Sequence, residues 1–478
     1  TNQQLMTNWR WWMVVLLFVA TTVNYMDRQV LSLTWKEFIA TEFHWTDSDY
    51  GTITAVFSIF YAVAMLFAGK FVDWMGTKKG YLWAIGIWSF GACAHALCGW
   101  ATMHINGYDS IESMKAVEAG TKAALAISSV RVWLFLAARA VLAMGESGNF
   151  PAAIKTTAEY FPKKDRAFAT SIFNAGASVG ALVAPATIPP LAAWLGWEMA
   201  FVVIGALGFI WMGFWVFMYD KPQNSKHVNA AELEYILQNE DKEEAPAPEE
   251  DTKEIPLLKC FTYRQTWSFI AGKFFTDGVW WFYLFWAPAY FQDQFGYKAS
   301  SGMGMALIVT LYAIVTVISI FGGYLPKMFV EKKGMHPYNG RMLAMLIFAF
   351  FPLFALFAQP MGQYSAWWPA IIIGLAGAGH QAWSANLFST IGDMFPKSAI
   401  ATITGIGGMA GGISSFIINL SAGKLFDYSA NMGEAFTFLG FDGKEAGYMI
   451  VFCICAVAYL IAWAVMKALV PKYKKIEE

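Results

Sequence analysis

The stretch from Arg139 to Pro151 places two charged side chains inside an apolar run that extends from about Val130 to Ile154. These are the guanidinium of Arg139 and the carboxylate of Glu146, and both groups could take part in chemistry. They are separated by about two helical turns, so both are predicted to lie on one stripe of the same helix. Glu146 lies about 12 Å from the end of the run, so its short side chain cannot easily reach solvent.

A carboxylate at that depth is costly unless it is paired or protonated, and ionisable residues inside membranes usually line ion, proton or substrate pathways. Glu146 is therefore a candidate functional-site residue, and Arg139 is predicted to face the same wall. The alternative is a structural ion pair that holds two helices together.

Two further charged pairs lie in apolar runs. Asp27 and Arg28 are adjacent in the first long run, and neighbours on a helix point about 100° apart, so at least one of them must line a cavity. Lys273 and Asp277 have helical i, i+4 spacing and should share a face. Either Lys273 and Asp277 form a structural ion pair, or the Lys273 ammonium interacts with the carboxylate of an anionic substrate.

Other polar residues of the apolar runs could bind a hydroxylated ligand, because tyrosine, amide and hydroxyl groups supply hydrogen bonds in an otherwise apolar wall. His380 is either a hydrogen-bonded interior histidine or a proton relay. The candidate substrate-binding residues are Arg28, Tyr25, Tyr61, Asn174, Lys273, His380, Gln381, Ser384 and Asn386.

The elements that position these residues follow from composition. Hydrophobic residues make up 57% of the 478 and charged residues only 14%, which excludes an ordinary soluble domain. Twelve apolar stretches of about 20 residues predict an all-α membrane protein with twelve transmembrane helices. Their centres lie near residues 22, 62, 90, 142, 176, 208, 280, 314, 349, 379, 411 and 458.

Charge and cysteine content exclude several kinds of partner. The net charge of -1 gives no basic excess for nucleic acid, and the five cysteines show neither metal-ligand spacing nor a disulfide pattern. We therefore expect no metal and no cofactor. Lysine and arginine cluster in alternate loops, which by the positive-inside rule predicts that both termini are cytoplasmic.

The chain is predicted to contain two similar six-helix bundles, residues 1–219 and 265–478, joined by a cytoplasmic linker at 220–264. The linker contains an acidic, Pro-containing run and a short helix that Asn229 could cap. Phe161-Pro162 and Phe395-Pro396 begin matching segments in the two halves. Glu146 and His380 each lie fifteen residues before the Phe of this motif. Parallel repeats that hold a substrate between them near the midplane are typical of secondary transporters.

The segment from Gly69 to Lys79 reads Gly-Lys-Phe-Val-Asp-Trp-Met-Gly-Thr-Lys-Lys. Its G-x-x-x-D-x-x-G-x-[KR] pattern resembles the loop signature between helices 2 and 3 of the major facilitator superfamily. The resemblance implies a cytoplasmic gate formed by Gly69, Asp73, Gly76 and Lys78, with Asp73 meeting a helix N-terminus of the other half. The second-half copy, at Gly322 to Lys327, lacks the Asp.

A narrower resemblance covers nearly the whole chain. Tyr25-Met26-Asp27-Arg28, Ala138-Arg139 through Glu146, Trp197 to Phe201 and Gly379-His380-Gln381-Ala382 are similar to the anion:cation symporter family, in particular its hexuronate transporters. This resemblance implies that Asp27 and Glu146 take up protons, and that Arg28 and Arg139 compensate them or meet the anion.

The resulting prediction is a monomeric symporter of the bacterial inner membrane that imports a sugar acid, most simply a hexuronate such as glucuronate or galacturonate, with protons. Coupling could use Glu146 alone or Glu146 with Asp27. The alternatives are another organic anion (an aldonate, aldarate or aromatic acid), Na⁺ in place of H⁺, or a membrane sensor that does not transport. An intramembrane enzyme is disfavoured because the apolar runs contain no HExxH, GxSxG or Cys/His constellation.

Overall fold

A computed structural model describes residues 5–238, 255–322 and 324–476. The acidic part of the predicted linker, at about 240–251, lies outside the described residues. Most of the described residues lie in twelve long helical stretches, and each predicted helix centre lies within one of them. The prediction of a helical membrane protein is confirmed, with a helix count consistent with twelve spans.

In chain order, the helices of the first half are α1 Trp9–Thr34, α2 Ala40–Phe43, α3 Asp47–Met75, α4 Thr77–Ile105, α5 Ile111–Lys115, α6 Lys122–Glu146, α7 Asn149–Tyr160, α8 Lys163–Leu195, α9 Trp197–Met218 and α10 Ala230–Leu237. A π-helical turn, Trp35–Ile39, continues α1, and a 3-10 turn lies at Pro222–Asn224.

The helices that follow are α11 Leu257–Cys260, α12 Arg264–Phe295, α13 Gly302–Gly322, α14 Tyr324–Lys333, α15 Pro337–Ala349, α16 Ala358–Gly362, α17 Trp367–Met394, α18 Lys397–Met432 and α19 Lys444–Leu469. Two 3-10 turns, Pro352–Phe357 and Gly433–Ala435, and one short antiparallel hairpin complete the described chain. Its strands are β1 Thr437–Phe438 and β2 Phe441–Asp442.

Nine helical stretches in the described residues are long and apolar enough to cross a membrane. The three other long helices, α1, α12 and α17, are more polar. They carry seven of the nine predicted substrate-binding residues, including Arg28, Lys273 and His380, and they also carry Asp27. Polar side chains in these helices therefore coincide with the positions at which function was predicted.

The described residues form two contact-defined units. The first contains those within residues 1–30, 63–101 and 133–252, and the second those within 31–62, 102–132 and 253–478. The second unit thus includes the end of α1 and the first half of α3 together with the helices of the C-terminal half. The division at 219 and 264, drawn from the sequence duplication, stays a prediction.

In the first unit, the linker helix α10 is fastened to the start of α1. The predicted cap is confirmed: the Asn229 side chain accepts a hydrogen bond from the backbone N–H of Glu232 (2.9 Å). The Glu232 carboxylate, fully buried, accepts the backbone N–H of Arg10 (2.9 Å) and pairs with its guanidinium (3.4 Å). An acidic group at this point satisfies N–H groups that the first turn of α1 leaves unbonded.

Candidate functional site

The first charged cluster joins α1 to the end of α6. Arg28 Nε donates to Glu146 Oε2 at 3.0 Å, and both side chains are buried. Arg28 Nη2 also donates to Asn24 Oδ1 at 3.0 Å, one helical turn earlier. The other oxygen of Glu146, Oε1, is buried and accepts no hydrogen bond from the described residues. Glu146 is therefore bonded through one oxygen and has a second acceptor available.

Arg139 lies in the same cluster, and its charge also acts on Glu146. Its Nη2 donates to the backbone carbonyl of Arg28 at 3.4 Å, while the carboxylate of Glu146 takes its close ion pair from Arg28 across the helix interface. Tyr25 contributes an aromatic face, with the Arg28 guanidinium carbon 4.7 Å from its ring centroid. Tyr25, Arg28, Arg139 and Glu146 thus lie together.

Asp27 is 1% exposed. Neither of its carboxylate oxygens accepts a hydrogen bond of normal geometry from the described residues. The charges of Glu146 and Arg139 and the Trp88 indole are close enough to act on it. A buried carboxylate with so few donors is costly while ionised, so Asp27 is chemically suited to bind a proton.

Close helix packing fixes the position of Glu146. A Cβ added to Gly145 would lie 2.3 Å from the backbone nitrogen of Trp88, and one added to Gly91 would lie 2.7 Å from that of Leu142. Helices α4 and α6 can therefore approach closely only because glycine stands at these contacts. The helix is interrupted directly after Glu146, and the amide of Asn24 donates to the Glu146 carbonyl there, at 3.4 Å.

Glycines of α8 place that helix against α1 in the same way. A Cβ on Gly176 would meet the carbonyl oxygen of Phe18 at 2.6 Å, and one on Gly180 would meet that of Thr22 at 2.6 Å. Asn174, a predicted substrate-binding residue, lies on α8 with an exposed side chain. Its assignment to the substrate site stays a prediction.

A second charged cluster lies in the second unit and unites two predicted residues, Lys273 and His380, through Asp277. Lys273 Nζ lies 2.7 Å from Asp277 Oδ2, and His380 Nε2 lies 3.9 Å from Asp277 Oδ1. His380 Nδ1 contacts the Tyr459 hydroxyl at 2.5 Å, and the Trp280 ring stacks on the imidazole with centroids 5.5 Å apart. The i, i+4 pairing of Lys273 and Asp277 agrees with the sequence expectation.

The remaining predicted substrate residues of the second unit are dispersed. Asn386 is buried and its amide donates to the Ala382 carbonyl of its own helix at 2.9 Å. Gln381 and Ser384 are half-buried on α17. Tyr61 is half-buried on α3, with its ring 6.1 Å from that of Phe57. Their assignment to a substrate site stays a prediction.

The gate signature lies between α3 and α4. Gly76 has φ +86°, a conformation that favours glycine, and a Cβ on Gly69 would meet nothing within 4 Å in the described residues. Asp73 pairs with Lys155 at 3.2 Å and is largely exposed, and Lys78 lies 3.6 Å from the Asp220 carboxylate. In this conformation the Asp73 carboxylate pairs with a lysine side chain of its own unit, and its role as a gate stays a prediction.

Sequence reasoning missed a third cluster, which contains two lysines and two aspartates of the second unit. Lys36 Nζ lies 3.2 Å from Asp47 and 2.8 Å from Asp293, and Lys444 Nζ lies 2.5 Å from Asp47 and 2.7 Å from Asp293. Each charge therefore contacts both charges of opposite sign. Lys36 and Lys444 are among the few cations on the predicted outer side, and each lies near an end of a long helix, which was the available signal.

The surroundings of this outer charge cluster tie the first half of α3 to α18. The Asp427 carboxylate accepts the backbone N–H groups of Asp47 (3.0 Å) and Ser48 (2.8 Å). Further along, a Cβ on Gly51 would lie 2.6 Å from the Asn419 carbonyl oxygen.

Within the part of the chain that the structure describes, no three His, Cys, Asp or Glu side chains are grouped as ligands for a metal ion.

Comparison with known proteins places this architecture in a family. The chain is 28% identical to the "Hexuronate transporter" of Escherichia coli (strain K12) over 426 residues, covering 87% of this chain and 88% of that protein. It is 27% identical to the "Galacturonate transporter" of Dickeya chrysanthemi, covering 67% and 82%. It is 23% identical to the "Probable galactarate/D-glucarate transporter GarP" of Escherichia coli (strain K12), covering 93% and 94%.

Solved structures support the same fold. A bacterial homologue of the human lysosomal transporter Spinster, in an inward-facing and occupied conformation, matches with a TM-score of 0.67 and 18% identity, over 97% of each chain. A D-xylose-proton symporter matches with a TM-score of 0.68 and 15% identity, over 95% of this chain and 98% of that one. The sequence model of the Major Facilitator Superfamily matches residues 17–418. The chain is therefore a multi-pass membrane transporter and belongs to the Major Facilitator Superfamily.

Proposed function

We propose that this protein imports a sugar acid, specifically a hexuronate such as galacturonate, together with protons by alternating access. The proposal includes a location in the bacterial inner membrane, cytoplasmic termini and a monomeric state. Relatives named for hexuronate, galacturonate and galactarate transport support the substrate class. The buried acids and guanidiniums of the first charged cluster support proton coupling.

The observation that carries the proposal is the balance of charge among four buried side chains: Asp27 and Glu146 are acids, and Arg28 and Arg139 are bases. With all four ionised, their charges cancel. A monoanionic substrate entering this cluster alone would leave one negative charge in a low-dielectric environment, which is costly. A substrate that arrives with one proton leaves the cluster balanced.

Arg28 is the residue whose ion pair with Glu146 such a proton would break. It donates to Glu146 at 3.0 Å, and protonation of Glu146 would remove the negative charge that holds it. The guanidinium could then bind the substrate carboxylate through two parallel hydrogen bonds. Loss of the proton on the cytoplasmic side restores the Arg28–Glu146 pair and displaces the anion. Proton and substrate thus favour the same state, as coupling requires.

The test is Glu146→Gln, assayed with labelled galacturonate in proteoliposomes that contain the full-length protein. The wild type should accumulate substrate along a pH gradient, by about tenfold per pH unit for each coupled proton. The variant should exchange internal for external substrate but lose pH-driven accumulation, because the amide cannot take up a proton. Glu198→Gln, a change in the first turn of α9, is the control and should accumulate normally.

If Glu146→Gln concentrates substrate as the wild type does, the coupling assignment is wrong. Accumulation driven by a Na⁺ gradient at constant pH would instead favour Na⁺ coupling. Failure of the wild type to move any sugar acid would favour the sensor hypothesis.

One observation favours a second candidate substrate, a dicarboxylic sugar acid. The chain is 23% identical over 458 residues to a relative named as a probable galactarate/D-glucarate transporter, and these sugar acids carry two carboxylates. Competition of galactarate against labelled galacturonate separates the two candidates, because a dicarboxylate transporter should be inhibited at lower concentrations of galactarate.

A further inference from the structure

The second charged cluster contains an acid, Asp277, to which the proposed coupling through Glu146 gives no task. Its carboxylate is buried on α12 between Lys273, one turn earlier, and His380 on α17. A Cβ on Gly411 of α18 would lie 2.2 Å from Asp277 Oδ2. The absence of a side chain at Gly411 therefore makes room for the carboxylate, and the cluster is built into the packing of three helices.

The hydrogen bonds around His380 favour one of its two neutral tautomers. The Tyr459 hydroxyl donates to the Thr276 carbonyl at 3.3 Å. A tyrosine hydroxyl has one hydrogen, so when it is used in that bond the imidazole is the donor in the 2.5 Å contact between His380 Nδ1 and the hydroxyl. In a neutral imidazole, Nε2 is then an acceptor, and it faces Asp277 Oδ1 at 3.9 Å.

Two acceptors facing each other in a buried site lack a proton between them. Stacking of Trp280 on the imidazole, with ring planes 2° apart, holds the ring in this orientation, so Nε2 does not turn away readily. The titratable or charged side chains that face Asp277 are Lys273 from its own helix, His380 from α17 and Tyr459 from α19. The α18 helix contributes the glycine contact.

We propose that the Asp277–His380 contact is a second proton-binding site, which loads one proton per transport cycle in addition to the proton on Glu146. This inference rests on the proposed symport function. The proton comes from water on the outer side, is shared between Asp277 Oδ1 and His380 Nε2, and returns to water on the cytoplasmic side; only O–H and N–H bonds form and break.

Lys273 links this proton to the substrate. When Asp277 is neutralised, the Lys273 ammonium loses its counter-charge, and a buried ammonium without one is unfavourable. Binding of an anion then becomes more favourable, and release of the anion favours loss of the proton. The same reciprocity governs Arg28 and Glu146, so the two halves of the chain each contain a cation that a carboxylate holds and a proton releases.

The experiment measures protons moved per labelled galacturonate in proteoliposomes, together with the dependence of uptake on membrane potential. Asp277→Asn and His380→Gln should each lower the proton count by about one relative to the wild type, and uptake should become correspondingly less sensitive to potential. His95→Gln is the matched control. His95 is also a buried histidine, but its Nδ1 bonds to the Gly91 carbonyl (2.7 Å) and its ring stacks on Phe201, so the proton count should not change.

Asp277→Asn leaves Lys273 buried beside a neutral amide and could fail to fold, so the double variant Lys273→Gln/Asp277→Asn, in which both charges are removed, is measured as well. It should also lose one proton per substrate. An unchanged proton count in the double variant and in His380→Gln overturns the second site while leaving symport intact. Absence of any galacturonate transport by the wild type overturns the proposed function, and this inference with it.

Discussion

At the residue scale, the arrangement around Arg28 explains why an arginine is suited to this position. Its Nε and Nη2 are used by different acceptors, Glu146 and Asn24, each at 3.0 Å. A guanidinium donates in several fixed directions at once, whereas an ammonium is a compact point charge on a flexible stem. Arg28 can therefore exchange one acceptor for another without losing its orientation.

We expect Arg28→Lys to weaken galacturonate binding while keeping the charge of the cluster. The loss of a bidentate, charge-assisted contact should raise KM about ten- to a hundredfold, corresponding to about 1.4–3 kcal/mol. Initial uptake rates in proteoliposomes measure it. Arg341→Lys, which alters a pair with Asp393 in the second unit, is the control and should leave KM unchanged. An Arg28→Lys protein with the KM of the wild type would remove Arg28 from the substrate site.

At the element scale, the sequence was sufficient to locate the long helices. Each of the twelve predicted centres lies in one, because about 20 apolar residues suffice to cross a bilayer and the intervening polar residues mark the turns. Helical spacing also predicted the Lys273–Asp277 pair, now seen at 2.7 Å. These features are local, and a single stretch of sequence contains the information for each.

Contacts between helices could not be predicted in this way. Helical spacing places Glu146 on one stripe with Arg139 but does not indicate its ion pair with Arg28, 118 residues away, which only the family resemblance suggested. The partner depends on how α1 meets α6, and close glycine contacts hold α6 against α4 and α1 against α8. The outer charge cluster was missed for the same reason, since Lys36, Asp47, Asp293 and Lys444 come from four separate elements.

We expect the outer charge cluster to contribute to stability, because none of its four side chains is more than 21% exposed. Asp293→Asn would leave Lys36 and Lys444 with one carboxylate between them, that of Asp47. Removal of one partner from a largely buried ion pair costs about 3 kcal/mol or more, so the melting temperature of the purified protein should fall by several degrees.

The double variant Lys36→Gln/Asp293→Asn keeps the cluster neutral and should lose less stability than the single variant. Lys115→Gln provides an exposed comparison, because Lys115 lies 3.9 Å from Glu42 and is half-exposed, and its loss should cost less than about 1 kcal/mol. Equal melting temperatures for Asp293→Asn and Lys115→Gln would mean that the four charges act as ordinary surface groups.

At the scale of the whole molecule, the predicted internal duplication relates the first and second charged clusters. Glu146 and His380 occupy matching positions, each fifteen residues before the Phe of a Phe-Pro motif. Each now lies beside a cation and a second acid or base: Arg28 and Asp27 in the first unit, and Lys273 and Asp277 in the second. The two matching positions thus hold ionisable groups of different chemistry.

Coupling in both clusters predicts that galacturonate binds more tightly as pH falls. Each proton taken up with the anion should lower Kd by about tenfold per pH unit over the range in which its site titrates, while the substrate carboxylate itself stays ionised above pH about 5. The thermal stabilisation of the purified protein by galacturonate at two pH values measures this linkage. Galactose, which has no carboxylate, is the control ligand and should stabilise equally at both.

The Glu146→Gln variant tests how much of this pH dependence of binding comes from Glu146. Its first cluster is already neutralised, so Arg28 should be available at every pH and the pH dependence of galacturonate binding should decrease by the share that Glu146 contributes. Affinity in the wild type that is the same at both pH values would mean that protons and substrate bind independently. A pH gradient could not then drive the anion through this protein, however tightly the substrate is held.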